Sequence, residues 1–121
     1  MLNDLQKRLF PFAVKVFSFL KTLPGSPEYS VVRYQLAKSA TSSGANYEEA
    51  QAASSKADFI YKNELSLREM RESNYWLRLI QATDQSNKLN QEELKYLINE
   101  SEELKKILGS IVSKSKLSNE H

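Results

Sequence analysis

The chain has 121 residues, 40% of them hydrophobic and 26% charged, with a formal net charge of +2 and no cysteine. That length and balance fit one folded domain and exclude a disordered or membrane-embedded chain. The missing thiols exclude a disulfide framework, a thiolate nucleophile and a thiolate metal site, and they fit a reducing compartment.

Helical spacing recurs along the whole chain, and strand alternation is nearly absent. The first helix is expected after Asn3 or Asp4, either of which can cap it, and should reach about Leu20. Leu5, Leu9, Phe12, Val16 and Leu20 form its inward stripe, and Phe10, Val14 and Phe17 widen it enough for two packed faces. Pro11 should bend this helix or delay its start. Asp4 ahead of the apolar run and Lys15 inside it argue against a signal peptide, and TLPGSPEYS behind it reads as a turn. No stretch of about 18 uncharged apolar residues offers a membrane span. A soluble, cytoplasmic protein is expected.

Ser26–Pro27–Glu28 reads as an N-cap followed by proline at the first helical position. The second helix then carries Tyr29, Val32, Leu36, Ala40, Ser43 and Tyr47 at spacings of three and four, to about Ala50 or Gln51. Its second half, SATSSGANYEEAQAASSKA, is rich in small residues. Gly44 in mid-helix costs roughly 1 kcal/mol relative to alanine, so a close neighbouring helix is expected there. Ser39, Ser42 and Ser43 can bond back to carbonyls one turn earlier. The third helix starts at Ser54 or Ser55, with Asp58 in its first turn, and runs to about Thr83 with Ile60, Leu67, Met70, Leu77 and Ile80 inward. Asp84–Gln85–Ser86–Asn87 reads as a polar loop. Asn90 and Glu93 resemble a capping box for the fourth helix, whose inward set is Leu94, Leu97, Ile98, Leu104, Ile107, Leu108 and Ile111. Four such helices with short connections predict an all-α, antiparallel up-down-up-down four-helix bundle over residues 1–113, with a frayed polar tail over 114–121.

Ser43, Asn46, Glu49, Glu69 and Glu72 lie beside the inward stripes and are expected to form a buried polar seam, with Arg33, Arg68, Arg71 and Arg78 available as partners. The seam can be structural, or its acids can bind a metal or substrate. Bundle metal sites use Glu-x-x-His pairs, and the one histidine here is His121. Without an internal histidine, a cysteine or a glycine-rich loop, the sequence offers no catalytic set, and no cofactor or metal is expected. Charge is uneven. Residues 1–47 hold Lys7, Arg8, Lys15, Lys21, Arg33 and Lys38 against Asp4 and Glu28, while the remainder holds eleven basic and thirteen acidic residues.

The ordered set Gln35–Leu36, Lys38–Ser39–Ala40, Ser42, Asn46, Glu49–Ala50, Ser55–Asp58–Phe59, Glu69, Glu72 and Tyr75–Trp76–Leu77 resembles the S23-type bundle proteins named after intervening sequences in 23S ribosomal RNA genes. The likeness spans the second and third helices. It implies a homo-oligomer, with rings of five in the family, and a pentameric relative that serves as accessory factor to a reverse transcriptase. The family's name records where its genes were found, not what its proteins bind. Tyr61, Leu65, Trp76 and Leu79, on a second side of the third helix, are the expected oligomer interface.

Three functions follow as expectations. The first is a non-enzymatic module binding structured RNA through Lys7, Arg8, Lys15, Arg33, Lys38 and Arg78, with Tyr29 and Tyr34 able to stack on bases. The second is a protein-interaction scaffold or accessory subunit. The third is an enzyme with a carboxylate site at Asn46, Glu49, Glu69 and Glu72.

Overall fold

A computed structural model describes residues 3–84 and 88–119. Four helices, α1 (Gln6–Leu20), α2 (Pro27–Gln51), α3 (Lys56–Thr83) and α4 (Gln91–Asn119), form an all-α four-helix bundle. Each packs on its neighbours in the order α1–α2–α3–α4–α1, and the backbones of the diagonal pairs do not approach closely among the described residues. Ser39 meets Ser73 while Ser43 meets Ser66, so α2 and α3 run antiparallel. Arg8 reaches Glu100 and Lys15 reaches Tyr96, so α1 and α4 do the same.

Local chemistry sets the helix starts. Asn3 Oδ1 accepts from the Gln6 amide at 2.9 Å and Gln6 Oε1 accepts from the Asn3 amide at 2.8 Å, a reciprocal box at the head of α1. Ser26 accepts from Tyr29 N with Pro27 at N1, Ser55 accepts from Asp58 N, and Asn90 accepts from Glu93 N. Pro11 sits inside an uninterrupted α1. It is exposed, so the carbonyl it leaves unbonded one turn back can be satisfied by water. The connection after α3 is more organised at its start than a polar loop requires. Asp84 is buried, and its carboxylate accepts from Lys88 N, Leu89 N and Gln91 Nε2. Gln85, Ser86 and Asn87 lie outside the described residues, as does His121. The fourth helix does not fray at 114. It continues to Asn119 because Val112 and Ser115 stay buried and Lys116 pairs with Glu64 at 3.1 Å.

Most of the predicted inward residues form the core, but on α4 Ile98, Ile107 and Ile111 are only partly buried, at the edge of the stripe, and Val112 is buried instead. Phe12, Val16, Leu36, Met70, Leu77, Leu94, Leu97, Leu104 and Leu108 are almost wholly excluded from solvent. Phe19 joins them, a position the stripe reading of α1 did not name.

The small residues of α2 admit two neighbours of the same chain. Ser43 does not bond back along its own helix. Its hydroxyl donates across to the Ser66 carbonyl at 2.9 Å, and the Ser66 hydroxyl donates to the Ser43 carbonyl at 2.7 Å. On the other side Gly44 lies against α1, where an added Cβ would stand 3.6 Å from Leu9 Cβ and 3.8 Å from the Leu9 carbonyl oxygen. Those are ordinary contact distances, so a methyl fits where a longer side chain does not. Gly44→Ala should therefore stabilise the fold by up to about 1 kcal/mol through helix propensity, seen as a higher thermal midpoint.

Candidate nucleic-acid interface

The outer surface of α3 is divided by sign. Positions three and four apart share a helix face, and they sort into two flanks. Leu65, Glu69, Glu72, Trp76 and Leu79 form the flank toward α2. Arg68, Arg71, Tyr75 and Arg78 form the flank toward α4.

The basic flank is completed by α4. Arg71, Asn74 and Arg78 face Lys105, Lys106 and Gly109 across one depression, which runs through Arg71 and Gly109 into a second lined by Arg68, Ser113 and Lys116. Gly109 would meet nothing within 4 Å if it carried a Cβ, so the floor of this groove is open. The carboxylates present are already engaged: Glu64 with Lys116 at 3.1 Å and Glu102 with Lys105 at 3.2 Å. Arg68, Arg71, Arg78 and Lys106 make no ion pair among the described residues. Arg78 is held in place. Its Nε donates to Asn74 Oδ1 at 2.9 Å, Asn74 Nδ2 donates to Ser101 at 2.9 Å, and the guanidinium lies 5.9 Å from the Tyr75 ring centre. The groove thus carries a surplus of positive charge, with Arg78 its one anchored cation among the described residues, and such a surplus attracts a polyanion.

Of the six basic residues singled out from sequence, only Arg78 lies in this groove. Lys7 and Lys38 are exposed on α1 and α2. Arg8 makes ion pairs with Glu100 at 2.8 Å and Glu103 at 3.1 Å, and the bond to Glu100 holds its guanidinium more firmly protonated than usual. Lys15 caps the Tyr96 ring at 4.1 Å. Arg33 donates to the carbonyls of Leu20, Leu23 and Pro24 and ties the first connection to α2. Tyr34 is exposed on α2 and Tyr29 half-buried at that helix's start. These groups are spread over several faces and form no single patch. The groove's own signal was present in the 3-4-3 spacing of Arg68, Arg71, Tyr75 and Arg78.

The expected polar seam is buried only in part. Ser43 is fully buried, Asn46 is half-buried and donates to its own helix at the Ser42 carbonyl, and Glu49 is exposed rather than buried. Glu49 falls one position short of the buried Ala50, which turns it to water. Glu72 accepts from Trp76 Nε1 at 3.3 Å. No arginine pairs with Glu69 or Glu72 among the described residues. Nor do three or more acids or histidines gather at metal-binding distance among them.

Glu69 is nevertheless perturbed. Burial, and then repulsion from Glu72, raise its pKa above the ordinary carboxylate value against the pull of Lys38 and Arg68. A carboxyl raised in the fold contributes stability that is full below its unfolded pKa and is lost as pH rises through its folded pKa. Glu69→Gln should therefore raise the thermal midpoint at about pH 7 and lose that advantage near pH 4. Melting curves of the two proteins across that range check it.

The model of the 23S rRNA-intervening sequence protein family matches residues 3–110. The chain belongs to this family. A solved structure from Bacteroides thetaiotaomicron, described as a protein of unknown function from the S23 ribosomal protein family, is similar at 34% identity and a TM-score of 0.77. The likeness covers 89% of this chain and 97% of that one. None of the curated proteins compared with the chain matches it. The family match takes in all of α1, α2 and α3 and most of α4, well beyond the two helices whose residues carry the resemblance in sequence. It includes the Arg71–Gly109 groove but stops short of Lys116. No helix among the described residues is long and apolar enough to cross a membrane.

Proposed function

We propose that this protein is a non-enzymatic, homo-oligomeric RNA-binding bundle of the cytoplasm, and that the phosphate backbone lies along the α3–α4 groove. The observation that carries the reading is the row of Arg71, Arg78 and Lys106 over the open floor at Gly109, with no carboxylate to neutralise it. Phosphate contacts of this kind give affinity and position without reading sequence. They suit a structured RNA, whose surface is largely sugar and phosphate. A single groove of this size binds weakly. Repetition in an oligomer, a ring of five by likeness to the family, multiplies the contacts and raises avidity.

The test is binding of the purified protein to a labelled structured RNA at several salt concentrations, with native mass measured on the same sample. Affinity should fall steeply and linearly in log–log form with salt. Absence of binding at low salt from a folded oligomer would remove the RNA reading. A protein-interaction scaffold is the second reading, and Phe10, Val14 and Phe17, exposed along one edge of α1, favour it. It predicts a partner whose affinity hardly responds to salt.

A further inference from the structure

One aromatic ring stands on the brim of the basic groove. Tyr75 is 51% exposed, and it sits four residues after Arg71 and three before Arg78, on the same flank of α3. Its ring is braced on two sides. The Arg78 guanidinium lies over it at 5.9 Å, and the Trp76 ring meets it edge to face at 5.3 Å and 75°. Both braces are tied down in turn, Trp76 by its bond to Glu72 and Arg78 by its bond to Asn74. Asn74 is itself buried and bonded to Ser101 of α4. A buried amide costs free energy unless its bonds are made, and one of the bonds made here reaches a surface arginine. The Nε edge of Arg78 is thereby spent inward. Its two terminal nitrogens donate to nothing among the described residues.

The cation and the ring suit different parts of one ligand. A guanidinium anchored at Nε, with both terminal nitrogens free, matches two oxygens of a phosphate. A flat ring held from two sides and open to solvent matches the face of a base, at little cost in lost side-chain freedom. Because the two are in contact, a phosphate on Arg78 puts the base of the same nucleotide within reach of Tyr75. Charge fixes the order. On the other side of Tyr75 the surface changes sign, to Glu69 and Glu72 on the flank toward α2. A phosphate is repelled there and stays on the side of Arg71 and Lys106, while an uncharged base can turn outward to the ring. In a duplex the bases are covered by their stacked neighbours, so only an unpaired base offers a face. No other exposed tyrosine combines these features. Tyr96 is covered by Lys15, and no cation lies over Tyr34 or Tyr61 among the described residues.

We propose that the α3–α4 groove takes an unpaired nucleotide of an RNA, its phosphate on Arg78 and its base stacked on Tyr75. The inference rests on the RNA reading above and names the part of the RNA that is bound, a loop, bulge or free end rather than a stem. Arg71 and Lys106 attract any phosphate backbone, and Tyr75 makes the groove prefer an unpaired base.

The experiment compares two RNAs with the same number of phosphates. One is a hairpin with the fluorescent base aminopurine in its loop, and the other is a blunt duplex with aminopurine paired at its centre. The wild type should bind the hairpin at least about 5-fold more tightly than the duplex and change the emission of the loop base. Tyr75→Ala should lose about 5- to 150-fold on the hairpin and little on the duplex, and should abolish the emission change. Its salt slope should match the wild type, because no phosphate contact is removed. Tyr75→Phe keeps the ring and should bind as the wild type does, and so should the control Tyr34→Ala. Each variant is first checked for wild-type helicity and thermal midpoint. Equal binding of hairpin and duplex, or an unchanged Tyr75→Ala, would overturn the stacking and leave the groove reading standing. Equal losses for Tyr75→Phe and Tyr75→Ala would also overturn it, since the hydroxyl and not the ring would then make the contact. A wild type that binds neither RNA at low salt would overturn the RNA reading and the stacking with it.

Discussion

Ser43→Leu should cost the bundle about 3–5 kcal/mol and lower its thermal midpoint by roughly 10–20 °C. Ser43 is fully buried where α2 meets α3, and so are Ser39, Ser66 and Ser73. The Ser43 and Ser66 hydroxyls each donate to the other helix's backbone, which holds the two helices closer than leucine side chains would permit. A leucine at this crossing has no free volume and must push α3 away, an overpacking cost of about 1–3 kcal/mol. It also removes one cross-helix bond and displaces the Ser66 hydroxyl from the other, each about 1 kcal/mol or more when the group stays buried. Ser43→Ala is the control. It keeps the close approach, gains helix propensity, and leaves the Ser66 carbonyl with its own helical partner, so it should cost no more than about 1 kcal/mol. Chemical denaturation of the three proteins separates size from hydrogen bonding. Equal losses for alanine and leucine would mean that the bonds, not the spacing, hold α2 to α3.

What the sequence made legible is what depends on local order. Ser26, Ser55 and Asn90 announce the starts of α2, α3 and α4 because a cap needs only a neighbour three residues on. The inward stripes follow the helical period, and they fix the bundle because each helix has an apolar side to bury. The end of α4 was less legible, since Lys114, Lys116 and Ser118 are polar in sequence, while the partners that hold the last turns are set by packing against α3. Charge was the least legible. Counting along the chain places the positive surplus in residues 1–47, yet Arg8 is engaged by Glu100 and Glu103, some ninety residues away, and Arg33 is spent on loop carbonyls. In residues 68–78 the basic and acidic residues nearly cancel in a count, but the helix separates them. Arg68, Arg71 and Arg78 turn to α4, and Glu69 and Glu72 turn to α2. A helix of period 3.6 makes a charged groove from a stretch that composition reads as balanced.

That separation makes the location of the RNA contact testable against the one read from the chain's basic half. Arg71→Gln/Lys106→Gln should weaken binding to a structured RNA by about 10- to 100-fold at physiological salt and reduce the slope of log affinity against log salt by about 2 per bound groove, one for each phosphate contact removed. Both side chains are exposed and make no ion pair among the described residues, so the fold should keep its midpoint and the loss can be read as binding alone. Lys7→Gln/Lys15→Gln removes the same charge from α1, where Lys7 is exposed and Lys15 rests on Tyr96. If the groove is the site, this second pair should leave the slope within error of the wild type and change affinity by only a few-fold through net charge. Equal effects from both pairs would mean that the protein attracts RNA as a diffuse cation. An effect from the α1 pair alone would move the site to α1. The slope decides among these outcomes where affinity by itself does not, because a long-range field shifts affinity but only a lost contact changes the number of counterions released.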